Sequence, residues 1–146
     1  KPITLPLILS EKKISKATRD KAEKKKLIAA LDKLWSQIAH KNWGDRCGWP
    51  ECDKTESLSA HHFFGKKAYG MIARYDLDNS VLLCFYHHIG RVHQQGDTEP
   101  VREAIRDTIG WMRFDILSEN VRQVWKPTLE ELETLKAKFE KILEER

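Results

Sequence analysis

Cys47 and Cys52 stand together in one short stretch of the chain, Cys84 and His87 in another, and a long segment separates the two. Thiolates and imidazoles are the ligands zinc prefers, and a closed tetrahedral site is commonly made of two local pairs, each turn supplying two donors. A four-residue insert in the first pair and a two-residue insert in the second meet that need. No other feature constrains the fold as much. Cys47 and Cys84 have to lie side by side, so the segment between them must leave and return. Three cysteines cannot all pair within one chain, and their spacing is that of metal ligation, which points to a reducing compartment such as the cytoplasm. The residues therefore assign Zn2+ to Cys47, Cys52, Cys84 and His87, with His88 open as an alternative fourth ligand.

A second constellation is nested inside the first: His61 and His62, then Asn79, then His88, with His93 close behind. Hydrolysis of a phosphodiester needs an activated water, a Lewis acid near the phosphate and the leaving oxygen, and something that holds the base. This group offers a candidate for each. Neighbouring side chains on a strand point to opposite faces, so His61 and His62 can serve one purpose only if the backbone bends there. His93 follows His88 by five residues, a spacing that turns two α-helical side chains apart, and it is kept only as a third ligand or phosphate contact.

The remaining chain reads as framework. From Glu11 to about His40 there is neither glycine nor proline, and a long helix is expected. Its first half is lysine-rich, and its second half carries Leu27, Ile28, Leu31, Leu34, Trp35 and Ile38 at three- and four-residue intervals, an apolar face to dock on the metal-bound centre. The lysines are either a solvated face or a phosphate contact. Short strands are expected at 58–64 and 81–83, a long basic connection at 65–79, and a helix from Phe85 to about Gln95, less regular for containing Gly90. Pro100 suits a helix start, with Val101, Ile105 and Ile109 on one face, and Gly110 breaks that helix before Trp111, Phe114, Ile116 and Leu117 continue as packing residues. Thr128 and Glu131 form a capping-box pattern for a last helix bearing Leu129, Leu132, Leu135, Phe139, Ile142 and Leu143. Trp111 and Trp125 are expected to be buried rather than to stack on bases.

The order His61-His62, Arg74 to Asn79, then Leu83-Cys84 with His88 beyond resembles the HNH endonuclease motif of the ββα-metal fold. The resemblance covers about residues 47 to 93, cysteine pairs included, and its helical flanks more loosely resemble phage recombination proteins of the NinG type. It implies an α+β fold: a small zinc-bound ββα-metal core at 44–96, preceded by an arm and helix at 1–43 and followed by a helical region at 97–146. It further implies a metal-dependent DNA endonuclease in which His62 is the general base, His61 and His88 bind a catalytic Mg2+ or Mn2+, and Asn79 fixes the loop that holds the base. The products would carry 5′ phosphates. Many members have cysteine where His87 stands.

Charge is compatible with a nucleic-acid partner. The formal balance is +4 with a pI near 8.9, and Lys66, Lys67, Arg74 and Arg91 suit contacts to the DNA backbone, which position a duplex without reading its sequence. The apolar opening at 3–9 is too short to span a bilayer and contains proline, so no membrane partner is expected. The expected setting is the cytoplasm of a bacterial or phage-infected cell. Two-fold pairing of chains would let one active site per copy cut both strands, and the oligomeric state stays open. A zinc-stabilised DNA-binding module without nuclease activity is the alternative reading.

Overall fold

The computed structural model of the chain describes residues 15–146. The apolar arm at 3–9 and the expected helix start at Glu11 lie outside the described residues. Ser15 has an extended backbone and its Oγ accepts from the Thr18 amide at 3.2 Å, so the first helix, α1, runs Lys16–Asn42. A serine here satisfies one of the free amides of the first turn, which fixes where the helix begins.

After α1 the chain passes through the Cys47–Cys52 turn into strand β1 (Leu58–His62), two short helices α2 (Lys66–Tyr69) and α3 (Met71–Tyr75), and strand β2 (Ser80–Cys84). The strands pair antiparallel in one two-stranded sheet, with Leu58 opposite Cys84 and His62 opposite Ser80. The other regular elements among the described residues are helices, so the fold is α+β. The basic connection expected at 65–79 is corrected: most of it is α2 and α3, parted at Gly70, whose φ of 90° is the left-handed region that glycine tolerates.

A π-helix (Tyr86–Gln94) follows β2, then α4 (Glu99–Ile109), α5 (Trp111–Asn120) and α6 (Leu129–Glu144). The capping box forms as the sequence predicts: Thr128 Oγ1 accepts from the Glu131 amide at 3.1 Å and Glu131 Oε1 accepts from the Thr128 amide at 3.2 Å. One core lies around β2, with Val81, Leu83, Val101, Ile105, Phe114 and Leu117. The other joins α1 to α6 through Leu27, Leu31, Trp35, Ile38, Leu132 and Phe139. The C-terminal ends of α1 and α6 meet, since Lys41 Nζ donates to the Arg146 carbonyl at 3.0 Å.

Two of the packing residues expected on α5 are corrected. Phe114 and Leu117 are buried, but Trp111 is 64% exposed and Ile116 is 50% exposed. Ile116 lies two positions from Phe114, about 200° around the helix, and so faces away from the core. Trp111 sits at the first position of α5, with the Arg106 guanidinium 4.2 Å from its ring centre. Trp125 is half-buried and donates to Glu131 Oε2 at 2.9 Å.

Two candidate metal centres

The cysteine turn is tied to β2 by its backbone: the Gly48 amide donates to the Leu82 carbonyl at 2.6 Å and the Cys84 amide to Cys47 Sγ at 3.3 Å. Only glycine fits at 48, because a Cβ there would lie 2.8 Å from the Trp43 ring and from Val81 Cγ2. This close approach brings Cys47 beside Cys84. The ligand atoms of Cys47, Cys52, Cys84 and His87 all lie within 4.8 Å of one another. Ligands of a tetrahedral zinc with bonds near 2.3 Å stand roughly 3.8 Å apart, so this Cys3His cluster could hold a metal ion such as zinc. His87, not His88, completes it. Its Nδ1 lies 3.2 Å from Cys84 Sγ and 3.6 Å from Cys47 Sγ, and Trp49 stacks on the ring, 4.5 Å between centres and 6° from parallel. Burial pushes the Cys47 thiol up to about 12; a coordinated metal reverses that preference by stabilising the thiolate.

His61, His88 and His93 form the second cluster, again with ligand nitrogens within 4.8 Å of one another. His93 is brought in by the winding of its helix, which its spacing from His88 does not reveal. Tyr86–Gln94 is wound as a π-helix, in which residues five apart stack along one face. His88 and His93 therefore meet, Nε2 to Nε2 at 3.0 Å, and their rings lie 5.1 Å and 5.4 Å from the His61 ring. Burial, with the neighbouring histidines adding to it, pushes His61 down to about 4, so it is neutral and ready to ligate at pH 7. The donor set is all imidazole and contains no carboxylate, a set that suits zinc, nickel, copper or iron better than magnesium.

His62 stands apart from that cluster. The pairing of β1 stays regular through His62, so the bend that would turn both histidines one way is not there. The His62 ring lies flat on Trp35 of α1, 3.7 Å between centres and 2° from parallel, and its Nε2 is 2.9 Å from the Arg74 carbonyl. A carbonyl can only accept, so Nε2 carries the proton and Nδ1 keeps a free lone pair. Burial lowers the His62 pKa despite the opposing pull of that carbonyl. Neutral His62 is thus held in one tautomer.

Asn79 is wholly buried and fully bonded. Its Oδ1 accepts from the Phe64 amide at 2.8 Å, and its Nδ2 donates to the carbonyls of Phe64 at 2.9 Å and Ala73 at 2.7 Å. It joins the chain just beyond His62 to α3.

Of the cations expected on phosphate, Lys66 and Lys67 are exposed. Arg74 and Arg91 are not free. Arg74 grips Asp32 of α1 with two hydrogen bonds at 2.7 Å and 2.5 Å, and Arg91 pairs with Asp97 at 2.5 Å while lying over Trp49. Forked Arg–carboxylate pairs are strong enough to hold both partners in place. Sequence reading misses Asp32, Trp35 and Trp49 as neighbours of the histidines. Trp35 is legible only as core, and nothing in the order of residues ties Asp32 to Arg74.

No helix among the described residues is long and apolar enough to cross a membrane. No family model, no curated protein and no solved structure matches this chain.

Proposed function

We propose that this chain is a metal-dependent endonuclease that hydrolyses DNA phosphodiesters, with a zinc-bound ββα-metal core of the HNH type. One observation carries the reading. A histidine held in the tautomer of a general base, His62, is next in sequence to a member of a three-imidazole cluster.

In this reading His62 accepts a proton from water at Nδ1. The Arg74 carbonyl keeps the opposite nitrogen protonated and gains strength as an acceptor when the ring becomes cationic, and the Trp35 face lies against that cation. His61, His88 and His93 would hold the catalytic ion. A divalent cation there supplies charge neutralisation at the phosphate and the leaving 3′ oxygen. Because consecutive strand residues face opposite ways, the scissile phosphate must reach across the end of β1, where His62 is the last strand residue. Cys47, Cys52, Cys84 and His87 would hold a structural zinc that fixes β2 and the start of the π-helix. The resemblance implies Mg2+ or Mn2+ as the catalytic ion, while the all-imidazole donor set favours a transition metal.

The test is plasmid nicking by the purified protein with magnesium, manganese, nickel, zinc or chelator, beside the His62→Ala variant. Cleavage should require added metal and fall by about 10²–10⁴-fold in the variant, the usual contribution of a general base. Retained DNA binding with no nicking under any metal would select the zinc-stabilised binding module instead.

A further inference from the structure

The helix that covers His62 also leaves the body of the protein. α6 has 16 residues against 27 in α1, and the two helices meet at their C-terminal ends. A helix rises 1.5 Å per residue, so α6 is about 24 Å long and the first turns of α1 extend past it. Burial agrees. Leu27 is the first buried residue of α1, and residues 16–26 are exposed or half-exposed throughout. These turns carry Lys16, Arg19, Lys21, Lys24, Lys25 and Lys26 against Asp20 and Glu23, which matches the net positive charge of the whole chain.

The face on which these charges lie is what matters. Asp32 grips Arg74 and Trp35 stacks on His62, while the Ile28 carbonyl accepts from the Tyr75 hydroxyl at 3.3 Å. Trp35, with Asp32 beside it and Ile28 four positions before Asp32, therefore marks the side of α1 turned to the histidine. Residues three, four and seven apart share a helix face, and those intervals, counted toward the N-terminus from these positions, reach Lys25, Lys24 and Lys21. None of the ion pairs among the described residues uses these lysines. Lys66, the first residue of α2, is close enough for its charge to bear on His62.

We infer that Lys21, Lys24 and Lys25 form a phosphate track along which α1 holds duplex DNA, leading its backbone to His62. This rests on the phosphodiester reading of the histidine centre for the direction of the track. From Lys21 to Asp32 the helix rises about 16 Å, close to five base pairs at 3.4 Å each. Contacts of this kind supply affinity and register without sequence preference.

α1 also provides its own control. Arg19, Lys26 and Lys33 follow one another at seven-residue intervals and are exposed on the far side of the helix. Binding of a fluorescent duplex is measured by anisotropy across a salt series, using zinc-loaded protein in the His62→Ala background with no other divalent metal. Changing Lys21, Lys24 and Lys25 together to glutamine should weaken binding at least tenfold near 0.1 M salt. The slope of log K against log salt should flatten by about 2.7, at 0.9 for each phosphate no longer neutralised. The Arg19, Lys26 and Lys33 triple change should leave the slope within about 1 of the parent. Equal weakening by both triples would mean diffuse charge only and would overturn the track, as would no weakening by either. Binding to vesicles rich in anionic lipid, abolished in the first triple change while duplex binding persists, would assign the face to a membrane surface and also overturn it. No step of this measurement needs cleavage, so failure of the nuclease reading would show separately, as absence of nicking.

Discussion

Asn79→Ala should destabilise the protein by about 3–5 kcal/mol, because the side chain bonds three backbone groups in the buried interior. Asn79 has no exposed surface, and its bonds to the Phe64 amide, the Phe64 carbonyl and the Ala73 carbonyl measure 2.8, 2.9 and 2.7 Å. Each such bond contributes about 1 kcal/mol net, and a buried group left without its partner costs about 1–3 kcal/mol. Alanine fills little of the space and bonds none of the three. Aspartate should not rescue: its oxygen could still accept from the Phe64 amide, but a carboxylate would then face two carbonyl oxygens in a buried site. Urea unfolding of wild type, Asn79→Ala and Asn79→Asp, with thermal melts in parallel, reads the effect directly. A fall in Tm of about 10 °C is expected, at about 2–4 °C per kcal/mol for a chain near this size. A loss below about 1 kcal/mol for Asn79→Ala would refute the reasoning. So would a fully stable variant that no longer nicks DNA, since Asn79 would then act on the substrate.

Two further outcomes follow from the histidine and cysteine clusters. Cys84→Ser should release zinc and lower stability by several kcal/mol, because a structural zinc site contributes folding energy directly; metal analysis beside a thermal melt checks it, and full zinc content with an unchanged Tm would remove the Cys3His site. In metal-free protein, His61 has its pKa lowered from 6.5 to about 4, so the unfolded chain binds a proton that the folded one refuses. The share of stability that His61 carries should be full above about pH 6.5 and be lost as pH falls toward 4, by at most about 3 kcal/mol given that the ring is partly exposed, with His62, His87 and His88, whose pKa values are also lowered by burial, adding to the decline. His61→Gln should flatten that decline in urea titrations at pH 7, 6 and 5, and an unchanged slope would dismiss His61 as its source.

What the sequence makes legible is what local spacing controls. Within each pair the short insert places two donors on one turn, the strands match their expected spans to within two residues at either end, and the cap at Thr128 forms from residues three apart. Contacts between distant residues stay hidden. Arg74 looks like a free cation on a basic loop until Asp32, 42 residues earlier, takes its guanidinium. Residues 65–79 contain glycines and a charge-rich surface that read as a connection, and they become helical because Ala73 and Tyr75 are buried against the two cores. Trp111 reads as core on the value of its buried area alone, yet the start of α5 leaves it outside, where Arg106 covers one face.

The winding after β2 is the least legible feature, and it explains most about the site. On an α-helix His88 and His93 would point about 140° apart, since each residue advances about 100°. In the π-helix the two imidazoles come to 3.0 Å. The same segment sends the adjacent His87 to the cysteines and His88 to His61, so one helical start supplies ligand atoms to both clusters. Wide turns of this kind are rare and mostly short, and they recur at functional sites; here nine residues adopt one. Neither Gly90 nor any capping side chain accounts for so long a run, since the segment has no side-chain cap and a Cβ at Gly90 would meet only Tyr86 carbons at 3.6 and 3.8 Å. What the winding does achieve is to bring together side chains that could ligate a metal. It closes the three-imidazole cluster while leaving His87 with Cys47, Cys52 and Cys84, an outcome that regular α-helical winding cannot produce from this spacing.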